Sequence, residues 1–217
     1  VTRTAQRSKS GGKGLGVIAF LAIGVSLFLA IQYFGFGTGA SAFVQEKLKI
    51  MGLSDLWYSA LYVHIAGGVV ALGVGWVQFV GKLRARSIGL HRTLGRIYGV
   101  AVLLSAVAGV FMSFRATGGW ASSLGFLLLS LAWLYTLGQG LNAIRTGRDL
   151  AKHRKWMTLN YALTLAAVTL RIYLPLAIVL FGMGPYNVYY SIIAWLCWVP
   201  NLLLASWLLS RRTRRSR

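Results

Sequence analysis

Three histidines and one arginine hold most of the chemical options of this 217-residue chain. His91 and His153 are each followed directly by an arginine, Arg92 and Arg154. Each pair is also preceded, at nearly matching offsets, by a glutamine and two arginines: Gln78, Arg84 and Arg86 before His91, and Gln139, Arg145 and Arg148 before His153. Two histidines brought together can serve as axial ligands of a b-type haem iron, with Arg92 and Arg154 pairing bidentately with its propionates. The same groups could instead hold a quinone headgroup or a lipid phosphate. The plainest reading is that interfacial His-Arg pairs bind headgroups and nothing more.

His64 stands in a different setting. Ala60, His64, Gly67, Gly68, Ala71, Gly75 and Gln78 recur at spacings of three and four. On a helix they form one face with two polar side chains and almost no bulk between them. Such a face lets another helix approach closely, with His64 hydrogen-bonded across the contact. It could equally form a slot for a flat cofactor, haem or quinone, beside His64.

Arg171 lies inside an apolar stretch, where a charge is costly unless paired or hydrated. It falls about 22 Å along its helix at 1.5 Å per residue, beyond the midplane of a core about 30 Å thick. His64, on a helix running the other way, is expected at similar depth. Pro175 removes the hydrogen bond to the Arg171 carbonyl and is expected to kink the helix. These features predict a polar pocket opening to the outer side, lined by His64, Arg171 and Tyr62 or Tyr173, and suited to an anionic or quinone-like group. The alternative is an Arg171 that snorkels to the outer headgroups.

Other chemistries have little to work with. Glu46, Asp55 and Asp149 are the only acids, so carboxylate-pair hydrolysis is nearly excluded. Cys197 is the only cysteine and has no partner within the chain. The run Ser10 to Gly16, SGGKGLG, resembles a phosphate loop, but no strand precedes it.

The elements that must position these residues are membrane spans. Hydrophobic residues make up 57% of the chain and charged residues 12%, against about 45–50% and about 25% in soluble domains. Six segments, roughly 15–34, 56–80, 94–114, 121–144, 156–181 and 188–210, reach the ~20 apolar residues that a bilayer crossing needs. This predicts an all-α integral membrane protein of six transmembrane helices. Helices 2–5 could form a pseudo-two-fold four-helix bundle, since helices 2–3 and 4–5 carry the repeated Gln-Arg-Arg-His-Arg pattern. The expected division is a basic tail over 1–14, the six-helix domain over 15–210 and a second basic tail over 211–217.

Of 23 Lys and Arg, 19 fall on the side that holds the N-terminus, the 2–3 and 4–5 connections and the C-terminus. Lys47, Lys49 and Arg115 lie on the other side. The positive-inside rule then predicts cytoplasmic termini in a bacterial inner membrane. The net charge of +20 does not point to nucleic acid, because the basic residues form four clusters, each at a membrane boundary. The lipid bilayer is the expected partner. Trp57, Trp120, Trp156 and Trp207 lie near span ends, as interfacial anchors do.

The stretches HIAGGVVALGVGWVQF (His64 to Phe79), HRTLGRIYGV (His91 to Val100) and HRKWMTLNYALTLAAVTLRIYLP (His153 to Pro175) resemble the bacterial membrane family catalogued as domain of unknown function 2306. The resemblance covers roughly residues 55–180 and implies a polytopic membrane protein with no assigned activity. A weaker resemblance is to the six-helix di-haem cytochromes b, which place histidine pairs on helices 2 and 4 and on helices 3 and 5. His91 and His153 look like the second pair. His64 has no counterpart on helix 4, so at most one bis-histidine haem is implied.

The functional expectation is a redox-linked membrane protein binding haem b or a quinone-like ligand through His91, His153, Arg92, Arg154, His64, Arg171 and Gln78. A non-catalytic accessory or assembly subunit of a larger membrane complex is the alternative. A small-solute transporter is a third reading, weakened by the lack of a membrane-embedded carboxylate to relay protons.

Overall fold

The computed structural model describes the backbone of residues 2–41, 44–45, 47–48 and 54–214, and the side chains of residues 12–39, 41, 44–45, 47–48 and 54–211. Among these residues the secondary structure is helical, and six helical stretches are long and apolar enough to cross a membrane. The first is α1 (Thr2–Ala30), which continues into a π-helical turn, Ile31–Gly35. The second is α2 (Asp55–Gly75), tightened at its end into a 3₁₀ turn, Trp76–Phe79. A short α3 (Gly81–Arg86) leads to the third, α4 (Ile88–Ser113), and the fourth is α5 (Trp120–Arg145). The fifth is built from α6 (Leu150–Thr164) and α7 (Ala166–Phe181), the sixth from α8 (Tyr186–Leu196) and α9 (Val199–Arg214).

Three spans begin at side-chain caps. Ser54 accepts from the Trp57 N–H, Ser87 from Leu90 and Asp149 from Lys152. A cap satisfies one of the donors that a helix start leaves open. Here it also moves the start. The apolar run alone places the third and fifth spans at about 94 and 156, whereas the capped helices start at Ile88 and Leu150. His91 and His153 therefore stand on rigid first turns rather than in loops. Helix also reaches back to Thr2, through the segment expected as a basic tail, and forward to Arg214.

The four middle spans close a ring: α2 packs on α4, α4 on α5, α5 on α6, and α6 on α2. The first span lies against α2 and the sixth against α5 and α6. The tightest crossing is α2 on α4. A Cβ on Gly67 would sit 2.6 Å from the Ala101 carbonyl oxygen and 2.8 Å from Ser105 Cβ, so only glycine fits there. Gly75 likewise faces the rings of Tyr161 and Tyr98, and the Tyr161 hydroxyl donates to the Leu72 carbonyl at 3.2 Å. The small-residue face of α2 is thus filled by other helices, the close-approach arrangement.

The ring is tied by a buried polar network. Tyr98 donates to Asn160 Oδ1 at 2.6 Å, while Asn160 Nδ2 donates to the Trp133 carbonyl at 2.7 Å and to Thr136 Oγ1 at 2.8 Å. Trp133 Nε1 donates to Thr164 Oγ1 at 3.0 Å. In an apolar medium polar groups need such partners, and the bonds join α4, α5 and α6 at fixed register.

The fifth span is interrupted at Leu165, a break the apolar pattern did not show, and α7 continues as helix on both sides of Pro175. The proline removes only the one bond to the Arg171 carbonyl, and its ring sits on an exposed face. Trp57 is no interfacial anchor: it is 1% exposed, packed with Tyr33, Val44 and Leu61 under the 1–2 connection. Trp120, at 81% exposure, does face outward.

Candidate functional site

At the basic end, the repeated pattern becomes a geometric one. Tyr98 lies seven residues beyond His91 and Asn160 seven beyond His153, and these two bond directly. Helices α4 and α6 start on the same side, so each histidine lies about 10.5 Å back from that bond along its helix. His91 and His153 consequently share a level and a face. They lie within electrostatic reach of one another, with Arg84 and Arg92 also close to His91. No contact among the described residues joins Arg154 to the pair, and its side chain is exposed.

Each histidine is gripped at Nδ1 by a group thirteen residues upstream. The Gln78 amide reaches His91 from the 3₁₀ turn. In the amide orientation that suits both neighbouring backbone groups, Oε1 faces the Gly95 N–H at 3.2 Å and Nε2 faces the His91 carbonyl at 3.2 Å and His91 Nδ1 at 2.6 Å. The backbone groups cannot change polarity, so they orient the amide, and the amide orients the ring proton. His91 Nδ1 accepts and its Nε2 carries hydrogen. At His153 the corresponding group is the Gly140 carbonyl, 2.8 Å from Nδ1. A carbonyl only accepts, so Nδ1 carries hydrogen there and the neutral ring leaves Nε2 as an acceptor. Gly140 permits this approach, since a Cβ would meet Met157 Sδ at 2.6 Å. The two free ring nitrogens are thus one donor and one acceptor.

The second cluster lies in the other half of the bundle. His64 Nδ1 donates to the Ser105 carbonyl at 2.8 Å, and Ser105 Oγ donates back to the His64 carbonyl at 2.7 Å. The His64 ring lies against Gly109, where a Cβ would be 3.2 Å from Nδ1 and 2.8 Å from Ser130 Oγ. Arg171 lies within electrostatic reach of His64, Tyr33, Tyr190 and Cys197. These groups belong to the first, second and sixth spans. The tyrosines beside it are Tyr33 and Tyr190. Tyr62 packs on Phe34, at 5.7 Å between ring centroids, and Tyr173 packs among Ala177, Tyr189 and Ile193.

A family described as Predicted membrane protein (DUF2306) matches residues 61–209. The chain belongs to the DUF2306 family. The matched region holds the four middle spans almost whole, all three histidines and Arg171. No curated protein and no solved structure matches the chain, and the likeness to di-haem cytochromes b gains no support. Among the described residues no group of three or more His, Cys, Asp or Glu could hold a metal ion.

Sequence reasoning on this DUF2306 chain missed Gly140, Ser130, Tyr33 and Tyr190. Gly140 acts through its carbonyl, which no side-chain pattern reveals, although its thirteen-residue offset from His153 equals that of Gln78 from His91. Tyr33 and Tyr190 come from the spans read as flanking. The local signals were Tyr33 at the end of the first span and the tyrosine-rich start of α8, with Tyr186, Tyr189 and Tyr190.

Proposed function

We propose that this DUF2306 protein is a multi-pass protein of the bacterial inner membrane, with cytoplasmic termini, that holds the headgroup of a quinone-like ligand between His91 and His153. The observation that carries the reading is the unlike pair of groups facing the two Nδ1 atoms, the Gln78 amide at His91 and the Gly140 carbonyl at His153, from which opposite ring protonation follows. A quinol hydroxyl accepts a hydrogen bond from His91 Nε2–H and donates one to His153 Nε2, and a quinone carbonyl accepts from His91. The surrounding Arg84 and Arg92 favour electron-rich oxygen over a cation. The site stands at a span end, where a ligand with an apolar tail leaves that tail in the bilayer. The proposal is one of binding; oxidation or reduction of the ligand belongs to a redox partner.

Haem fits the same place less well. Axial ligation by both residues needs both Nε2 atoms free of hydrogen. His153 meets that condition, and its Nδ1–H bond to a carbonyl is the support that metal-bound histidines have. His91 would meet it only if the Gln78 amide turned against the Gly95 N–H.

Titration of protein in lipid nanodiscs with a short-chain benzoquinone and naphthoquinone, followed by tryptophan fluorescence, tests the reading. Saturable binding that His91→Ala and His153→Ala each abolish is expected. Absence of saturable binding in the wild type overturns it, and a reducible b-type absorption lost in both variants replaces it with haem.

A further inference from the structure

A second polar cluster, separate from the first, lies around Arg171. His64 is nine residues from the start of α2 at Asp55, Ser130 is ten from the start of α5 at Trp120, and Arg171 is ten from the end of α7 at Phe181. At 1.5 Å per residue all three lie about 14–15 Å from span ends on the same side of the bundle. Three polar groups from three spans therefore share one depth. Arg171 and His64 are within electrostatic reach. Ser130 Oγ and the His64 ring meet at Gly109, whose missing side chain leaves room for both.

Two of these groups lack partners. Ser130 is 6% exposed, and among the described residues no hydrogen bond is made by its hydroxyl. None reaches the Arg171 guanidinium either. The chain's described carboxylates do not serve it: Asp55 opens α2 at the span end and Asp149 caps α6 at the far side. An interior arginine with five donors and no counter-charge among the described residues is a costly thing to keep. The neighbouring Tyr33 is carried by a π-helical turn, a local irregularity frequent at functional sites. Beside it the Tyr190 ring stacks on Tyr186 at 5.5 Å and tilts against Phe126 at 5.9 Å.

We propose that Arg171, with Ser130 and His64, forms a membrane-embedded site for a monoanionic carboxylate with an apolar body. One guanidinium with no acid beside it among the described residues is neutralised by one negative charge. Its planar fork matches a carboxylate bidentately. The Ser130 hydroxyl supplies a further donor, and the Phe126, Tyr186 and Tyr190 rings form an apolar wall. The carboxylate could arrive from the bilayer as a fatty acid or from water as a small organic acid.

The test measures binding of radiolabelled palmitate and of radiolabelled benzoate to the full chain in nanodiscs of neutral lipid. Saturable binding of either supports the site, palmitate identifying the bilayer as the source and benzoate the aqueous phase. Arg171→Gln is expected to weaken binding about tenfold or more, the loss of a charge-assisted hydrogen bond. Arg171→Lys keeps the charge without the fork and is expected to fall between. His91→Ala and His153→Ala are expected to bind the acid as the wild type does, which separates this site from the quinone site. Wild-type protein that binds neither acid saturably, a reading that needs no variant to fold, overturns the proposal. So does an Arg171→Gln protein that binds with wild-type affinity.

Discussion

Tyr98 and Asn160 share a 2.6 Å hydrogen bond between α4 and α6, each exactly as far along its helix as the other from a histidine. Both residues are essentially inaccessible, at 1% and 0% exposure. The bond sets the register that puts His91 and His153 at one level. Tyr98→Phe leaves Asn160 Oδ1 without its donor in an apolar interior, at a cost of about 1–3 kcal/mol. The thermal midpoint in detergent is expected to fall, and Asn160→Leu combined with Tyr98→Phe should cost less than the two singles added together. Strict additivity would show that the bond does not couple the helices.

Helix approach at Gly67 makes a sharper contrast. Glycine to alanine in an open helix position gains up to about 1 kcal/mol. Gly138 is such a position, with no neighbour within 4 Å of an added Cβ. At Gly67 the added atom meets the Ala101 carbonyl oxygen at 2.6 Å, and backbone cannot swing aside. Gly67→Ala is expected to destabilise by about 1–3 kcal/mol, the range for overpacking, while Gly138→Ala is neutral or stabilising. Equal midpoints for the two variants would mean that α2 and α4 are further apart than described.

Orientation is testable by reporter fusion. With nineteen basic residues at one end of the spans and three at the other, a periplasm-active reporter fused after Arg217 is expected to be silent. A cytoplasm-active reporter at the same point is expected to be active. The reverse pattern would invert the bundle and place the His91–His153 site on the outer face.

The spans were legible in sequence because a bilayer imposes a length, and about 20 apolar residues in a row are a strong signal. Their starts were less so. Hydropathy sees where the apolar run begins, near 94 and 156, but helix begins where a cap satisfies its first N–H groups, at Ser87 and Asp149. The repeated Gln-Arg-Arg-His-Arg pattern pointed to the pairing of His91 with His153. It could not give the tautomers, since one is fixed by the Gln78 side chain and the other by the Gly140 backbone. Arg171 was visible as a charge in an apolar run. Its neighbours Tyr33, Tyr190 and Ser130 were not, because one sequence does not say which faces of six apolar helices turn inward.

A pH dependence is expected from the connection between the first two spans. Lys47 is 5% exposed, its ammonium donates to the Arg115 carbonyl, and its Nζ lies 5.6 Å from the Trp57 ring centroid. Burial, and then the charge of Arg115, push the amine down from its ordinary 10.5 to about 8. Between about pH 8 and 10.5 the unfolded chain holds a proton that the native chain has released. Stability attributable to Lys47 therefore rises with pH across that window, and the full penalty applies below it. The thermal midpoint of the wild type relative to Lys47→Met is expected to be lowest below about pH 8 and to rise as pH increases through the window. A wild-type minus Lys47→Met difference that stays flat with pH would show that the amine keeps its ordinary affinity for protons.

The most discriminating prediction concerns ring hydrogens. Gln78 can satisfy the Gly95 N–H and the His91 carbonyl in only one amide orientation, and that orientation turns an N–H toward His91 Nδ1. Gly140 presents a carbonyl at the equivalent place beside His153. Nitrogen-15 spectra of histidine-labelled protein are expected to show hydrogen on Nε2 of His91 and on Nδ1 of His153. Replacing Gln78 by glutamate removes the donor, and a carboxylate facing Nδ1 can only accept. Gln78→Glu should therefore move the His91 hydrogen to Nδ1 and leave His153 unchanged. The free Nε2 atoms would then both be acceptors. Quinone binding should weaken for want of the His91 donor, while the pair would become competent for iron, so haem added to this variant should bind where the wild type takes up none. His91 showing hydrogen on Nδ1 in the wild type would remove the asymmetry on which the quinone reading rests and would return both histidines to the haem reading.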